Sequence, residues 1–473
     1  MKHLLMSFTF ILIGYIANAQ IITIPDANFK AKLLAANPSN AIAYNGMTAI
    51  KIDTNDNNEI EVSEALQVNR LNVSIADIYD LTGIGFFTSL RSLNCSQNHI
   101  PNLDLSNLTN LKSLYCNLNL LTSLNLNGLN QLLNLECAEN TLTQIDFANL
   151  ASLETLNCRF NFLTSLNLNG QINLQSLNCD YNQLTALDVS NLTQLTDLSC
   201  QSNQFIALDL NDLASLTSLN CSYNQLETLN LNNLNGLTAL NCSHNQITTL
   251  DITNLSHLST LNCESNQIGN AFIFSDMPDL EAAYCHNNQI PSFSFSDVSN
   301  LQILDCSANQ ISNLDVSPLP QLLVLNCHNN PQLLNLNIKN GSNEPFLDFS
   351  NNPNLVYICA DEDQLTNVQN LIAQYGYTNC EVNSLCDLAT TNFDLSSNLR
   401  LFPNPSKNYI NLEVDGGLTI ESISIYDIPG QTIIAIPNAG SVSVLNVSEL
   451  NAGIYFIKFE TNKGTATTKF IKG

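Results

Sequence analysis

Leu174-Gln175-Ser176-Leu177-Asn178-Cys179-Asp180-Tyr181-Asn182-Gln183-Leu184 is the stretch on which the fold turns. Its apolar residues recur at offsets of three and two, too irregular for one face of a helix, yet the same pattern returns unit after unit. Twelve cysteines mark the repeat, at 95, 116, 137, 158, 179, 200, 221, 242, 263, 285, 306 and 327, spaced by 21 except for one interval of 22. A chain that coils once per 21 residues turns all these positions inward, and each coil then buries the exposed end of its neighbour. The segment L-x-x-L-x-C supplies one short strand per coil, so stacking makes a parallel sheet along a concave side. Leu187-Asp188-Val189 and its equivalents give a second extended piece on the opposite wall.

The outer units are imperfect. Val68, Leu71 and Val73 fit the strand pattern one coil before Cys95, and Ile78, Leu81, Ile84 and Phe87 continue that turn. After Cys327 the register is interrupted around 341–346, and Leu355, Ile358 and Ala360 are expected to restore the strand. About 14 coils at about 4.8 Å each predict a solenoid about 65 Å long.

The repeated L-x-x-L-x-C-x-x-N-x-L unit resembles the bacterial leucine-rich repeat class, and Ile78-Tyr79-Asp80-Leu81-Thr82-Gly83-Ile84 resembles the first repeats of internalin-type surface proteins. The resemblance covers residues 68 to about 360. It implies an arched binding scaffold used against proteins or glycans.

Charge bounds the partners. Fifteen Lys and Arg against 41 Asp and Glu leave a net charge of -26, which excludes a surface built to neutralise nucleic-acid phosphates. Residues 1–19 carry Lys2, an apolar stretch and Ala17-Asn18-Ala19, an export signal with cleavage expected before Gln20. No later segment is apolar and long enough to cross a bilayer. The ladder cysteines, Cys95 and Cys179 among them, point into the core with parallel Cβ vectors and read as buried free thiols. Asparagine stands three places after each of the twelve, as in Asn98 and Asn182, where its amide can satisfy backbone groups at the turn. The Asp/Asn row that includes Asp104, Asp188 and Asp251 reads as a solvated far wall.

Side chains flanking the strands are the candidate contacts. Phe160, Tyr181 and Tyr223, with Arg159 beside them and Tyr115 on an earlier strand, form the expected ligand patch, because rings give contact area at low entropy cost. The same rings also read as a shield over a sheet edge. His244, His286 and His328 fall mostly two coils apart, too far for a shared metal or a proton relay. No nucleophile-base-acid set assembles, so a non-enzymatic protein is expected, with a glycan hydrolase using paired acids as a remote alternative.

Both ends carry further motifs. In residues 53–64, Asp53, Asn55, Asn57, Glu61 and Glu64 stand at places 1, 3, 5, 9 and 12, with the Glu59 carbonyl at place 7. This resembles the calcium loop of EF-hand and dockerin-type modules, except that Asn58 replaces the usual glycine at place 6, and it implies one Ca²⁺ site. A metal-free helix cap rich in Asn and Asp is the competing reading. At the other end Cys359 leaves the inward register, so it can pair with Cys380 or Cys386 in a closing cap, and Cys359 to Cys380 is the preferred pairing. Residues 387–397 read as a polar linker. From 398 to 473, short alternating strands between Gly, Pro and Asn turns predict a small β-sandwich. Its F-P-N-P opening, S-I-Y-D-I-P-G-Q and N-A-G-I-Y-F-I-K-F resemble the C-terminal sorting domain of type IX secretion substrates in Bacteroidota. That resemblance implies passage across the outer membrane by the secretion machinery, followed by release or surface attachment.

The expected organisation is therefore a signal peptide at 1–19, an N-terminal cap at 20–67, a leucine-rich repeat solenoid with its cap at 68–386, a linker and a sorting domain. The expected function is extracellular recognition or adhesion by a monomer that binds a protein or glycan on its concave face. A passive surface or matrix component without a dedicated ligand is the alternative.

Overall fold

The computed structural model describes residues 20–386, 399–414, 419–427, 431–437, 439–440, 442–461 and 464–473. The expected signal at 1–19 and the linker at 387–397 lie outside the described residues. The chain divides into two compact units, Met1–Cys386 and Asp387–Gly473.

The first unit is a solenoid whose concave wall is one 16-stranded sheet. Two strands of the N-terminal cap enter it antiparallel, Ala43–Asn45 against Arg70–Asn72 and Thr48–Ala49 against Ala43–Asn45. The other 14 are parallel, one per coil, from Arg70–Asn72 in coil 1 to Phe346–Asp348 in coil 14. Most are three residues long with only the middle side chain buried, as in Ser176–Asn178. The cause is the repeat itself: the strand leucine and the cysteine two places on face inward, and Leu177, Cys179 and Leu184 are all within 1% of full burial.

Asparagine locks each coil to its neighbour. The Asn182 Nδ2 donates to the carbonyls of Cys179 in its own coil and Cys158 in the previous one, each at 3.1 Å. Its Oδ1 accepts from the Leu163 backbone N–H at 3.0 Å. The same contacts recur from Asn98, where Val73 takes the place of the preceding cysteine, through Asn330. For the amide to reach back, the residue before it must be left-handed: φ is 52° at Tyr181, 54° at Tyr223 and 50–57° at the equivalent places from Gln97 to Asn329. Non-glycine residues adopt this region uncommonly.

The twelve ladder cysteines are free and buried. Burial in an apolar core pushes the thiols of Cys95, Cys158 and Cys221 up to about 12, so they are inert as nucleophiles. On the far wall the acids are exposed, as expected, and also close local turns. Asp188 Oδ1 accepts from Ser190 N at 3.1 Å and from Ser190 Oγ at 2.7 Å, and Asp251 does the same with Thr253.

The C-terminal end departs from expectation. The strand of coil 14 is Phe346–Asp348, in register with Val324–Asn326, and not the segment containing Leu355, Ile358 and Ala360. Phe349 occupies the cysteine place and Asn352 the asparagine place, so the aromatic substitution hid the last repeat. Tyr357–Cys359 instead joins a far-wall sheet with Asn313–Asp315, Asn335–Asn337 and Glu381–Asn383.

Cys359 pairs with Cys386 and not with Cys380, with Cα atoms 5.1 Å apart. Glu381–Asn383 runs parallel to Tyr357–Cys359 with Asn383 opposite Cys359, which leaves Cys380 upstream of its would-be partner. The chain then turns, Asn383 Oδ1 accepting the Cys386 N–H at 3.1 Å, and delivers Cys386 to the bond. Cys380 stays free.

Helices close both ends. Helix α1 (Ala27–Leu34) buries Phe29 and Leu33, and its N-cap Asp26 accepts from Phe29 N at 2.8 Å. The same carboxylate accepts from Tyr79 N and Asp80 N, which ties the helix to coil 1. Helix α2 (Val62–Ala65) is a single capped turn. Helix α3 (Leu365–Tyr375) buries Val368 and Ile372 and ends at Gly376, where φ of 78° suits glycine.

The second unit has a three-stranded and a four-stranded antiparallel sheet around Ile410, Ile423, Ile425, Ile457, Phe459 and Phe470. Its opening and closing motifs meet: Asn404 Nδ2 donates to Lys469 O at 3.1 Å, and Asn404 Oδ1 accepts from Ile471 N at 2.8 Å.

Candidate recognition surface

The left-handed turn throws the residue before each ladder asparagine outward. Phe160, Tyr181 and Tyr223 therefore stand 43%, 42% and 50% exposed beside a buried row. One coil of separation brings neighbouring rings into stacking contact. Phe160 and Tyr181 lie 4.2 Å apart at 7°, and Tyr223 and His244 lie 4.1 Å apart at 14°. Ser202, in the coil between the two pairs, interrupts the stack. Arg159 extends over Phe160, with Cζ 5.8 Å from the ring centre and Nη2 3.6 Å from Glu139 Oε1. Four of the five side chains expected as a patch thus lie along one stripe, and Leu118, 39% exposed at the same place two coils earlier, continues it.

Tyr115 is not part of it. It lies on the strand of coil 3, within a cavity of about 270 Å³ at the N-terminal end of the concave wall, with Tyr44, Arg70, Asn72, Ser92 and Asn94. Spacing along the repeat did not reveal this grouping, because Tyr44 belongs to the cap. The available signal was compositional: Arg70, Arg91 and Lys112 are three of the five basic residues between 52 and 386.

Beside the ring stripe sit a buried acid, Asp180, and a half-buried one, Glu136. Burial raises the Asp180 carboxyl above its ordinary range, while hydrogen bonds from Ser199 Oγ at 2.7 Å and Gln201 N at 2.7 Å pull against it. Glu136 is likewise raised by burial, against a bond from Asn157 Nδ2 at 2.8 Å. Of the three histidines, His328 lies near Asp348, while the other two, His244 and His286, are linked through an acid. Glu264, in the coil between them, places Oε1 3.4 Å from His244 Nε2 and Oε2 3.2 Å from His286 Nε2. His286 Nδ1 is in turn 3.6 Å from Asp305. His244, Glu264, His286 and Asp305 thus form a polar row across four coils.

In the N-terminal loop, Asp53, Glu61 and Glu64 are 4%, 3% and 6% exposed. Glu64 acts as a cap: Oε1 accepts from Thr54 N at 2.6 Å and Oε2 from Glu61 N at 3.1 Å. Asn57 Nδ2 donates to Glu61 at 2.6 Å, with Asn55 Nδ2 at 3.3 Å. Glu59 turns its carboxylate outward to Lys30 at 2.7 Å. Among the described residues, no three His, Cys, Asp or Glu side chains form a ready metal cage. Neither Glu61 nor Glu64 has a cationic side chain within ion-pair distance among them.

No helix among the described residues is long and apolar enough to cross a membrane. Residues 400–473 match the family described as a secretion system C-terminal sorting domain. No curated protein matches the chain. Among solved structures, the functional domain of InlJ from Listeria monocytogenes, described as including a cysteine ladder, is 25% identical over 95% of this chain and 97% of that one, with a TM-score of 0.55. The internalin InlF from the same organism is 23% identical over 63% of this chain and 93% of that one, with a TM-score of 0.49. YopM from Yersinia enterocolitica is 27% identical over 57% of each chain, with a TM-score of 0.47. The chain is therefore a leucine-rich repeat solenoid similar to internalins, ending in a type IX sorting domain that directs it to the cell surface or beyond.

Proposed function

We propose that this is an extracellular recognition protein whose solenoid binds a protein or glycan through the outward ring stripe, without catalysis. The observation that carries the reading is the stacked pairs Phe160–Tyr181 and Tyr223–His244, held at a backbone conformation that uncommonly accepts large side chains. Rings kept exposed at such a place, in a chain with only 7% aromatic residues, fit a contact surface better than incidental packing. A binding screen with the exported form tests it. Saturable binding that Tyr181→Ala and Tyr223→Ala abolish, with melting temperature kept, is the expected result. Full binding by both variants overturns the ring stripe as the contact surface, and no saturable ligand returns the protein to the passive surface-component reading.

The N-terminal loop is proposed as a Ca²⁺ site. Three buried carboxylates and two asparagines within twelve residues supply the hard oxygen donors calcium takes, and the neighbouring Glu61 and Glu64 lack a cationic side chain to offset them. Asp53, Asn55, Asn57, Glu61, Glu64 and the Glu59 carbonyl would hold it, with the Asn amides and Glu64 turned from their present bonds. An ion that binds only the folded chain raises its melting temperature. Calorimetry with and without calcium, on the parent and on Glu64→Gln, decides: no shift in the parent leaves the loop a metal-free cap.

A further inference from the structure

The cavity at the N-terminal end of the concave wall has a chemistry opposite to that of the chain around it. In a protein of net charge -26, no carboxylate lines it. Arg70 lies over the Tyr44 ring, 5.0 Å from its centre, and has no carboxylate within ion-pair distance among the described residues. Arg91 and Lys112 follow on the next two coils, just before their strands, exposed and likewise without an acidic partner among those residues. The acids of the same stretch are engaged elsewhere: Asp77 with His99 at 3.5 Å, Asp80 with Thr82 and Asp104 with Ser106.

The neutral lining also presents donors. Asn72 Oδ1 accepts from Ser74 N at 3.0 Å and from its hydroxyl at 2.7 Å, and Asn94 Oδ1 does the same with Ser96 at 3.0 and 2.6 Å. Their carbonyl oxygens are thereby occupied and their amide NH₂ groups are left over. At equivalent places further along, that NH₂ group is used on an acid, Asn157 on Glu136 at 2.8 Å and Asn326 on Asp305 at 3.0 Å. In coils 1 and 2 the acid is missing.

We propose that this cavity binds a uronic-acid residue of an acidic glycan. A planar carboxylate matches the guanidinium fork of Arg70. The leftover amides of Asn72 and Asn94 and the Ser92 hydroxyl face sugar hydroxyls, and the Tyr115 ring, 37% exposed, offers a stacking face. A volume of about 270 Å³ is smaller than a typical drug-sized pocket and suits one sugar ring rather than a peptide segment. The lining itself carries a guanidinium and no carboxylate, so an acidic sugar meets attraction there in a chain that is otherwise mostly acidic.

The test uses the full chain and a hexauronate oligosaccharide, followed by calorimetry at low and moderate salt. The expected result is saturable binding, weakened by salt, that falls about tenfold or more in Arg70→Gln and Tyr115→Ala. His257→Ala, at an exposed ion pair with Asp279 outside both surfaces, should bind the hexauronate as the parent does. Undiminished binding by Arg70→Gln, equal binding of a neutral hexaose, or no binding at millimolar concentration overturns the proposal. Preference for a sulfated hexasaccharide overturns the carboxylate assignment, and preference for hexaglutamate overturns the glycan assignment. The ring-stripe reading is judged by its own variants and stands or falls separately.

Discussion

A single asparagine does work that no strand bond does, because its amide joins two coils at once. Loss of Asn182 leaves Cys158 O and Cys179 O with other donors, Asn161 Nδ2 at 3.0 Å and Asn203 Nδ2 at 3.0 Å. The Leu163 N–H is the group stranded, since Asn182 Oδ1 is its acceptor. Asn182→Ala should therefore cost about 1–3 kcal/mol, measured by chemical denaturation. Asp26 gives a pH signature at the same scale. Burial opposes its ionisation, but backbone bonds from Phe29, Tyr79 and Asp80 outweigh it and hold the carboxyl below its ordinary value. A lowered folded-state pKa contributes stability above the unfolded value, and that stability is lost as pH falls through the folded one. The melting-temperature gap between the parent and Asp26→Asn should be full at pH 7 and close below about pH 4.

At the level of elements, the ladder has to be stopped. Coil 14 has no following asparagine; the Tyr377 hydroxyl takes its place, accepting from Asn352 N at 2.8 Å and donating to Phe349 O at 2.7 Å. The loop after α3 carries this group, and the Cys359–Cys386 bond holds the cap beside it. Tyr377→Phe keeps the ring packing against Phe349 but removes both bonds. It should destabilise by about 1–3 kcal/mol. Amide exchange should quicken in coil 14 before the central coils, since a frayed end opens without disturbing the middle of a repeat array. Uniform exchange along the solenoid would contradict this.

For the whole molecule, the two hydrophobic cores are separate: one runs continuously from Ile22 to Ile372, the other lies within the sorting domain. Deleting residues 398–473 should therefore leave a solenoid with an unchanged melting temperature. The export signal expected at 1–19 crosses only the inner membrane, so the truncated chain should remain in the periplasm. Fractionation of cells producing both forms tests it, and equal surface delivery of the truncated chain would refute the sorting role.

The coil period, the inward leucines and cysteines, the asparagine ladder and the sorting domain were all legible in the sequence, because each is written in the spacing of residues within one unit and repeated. The ring stripe was legible for the same reason: Phe160, Tyr181 and Tyr223 share one place in the repeat. What the sequence could not show depended on residues from different coils meeting. Phe349 hid the last strand because cysteine, the marker, was gone, although its packing role persisted. The partner of Cys359 was decided by the register of Glu381–Asn383 against Tyr357–Cys359, a property of strand pairing that cysteine spacing does not encode. Glu264 joined histidines that lie two coils apart, and the cap brought Tyr44 to Arg70 and Tyr115. Only the tertiary structure decided these, because a periodic sequence specifies where each side chain points, while contacts across coils and caps depend on how the periods are stacked.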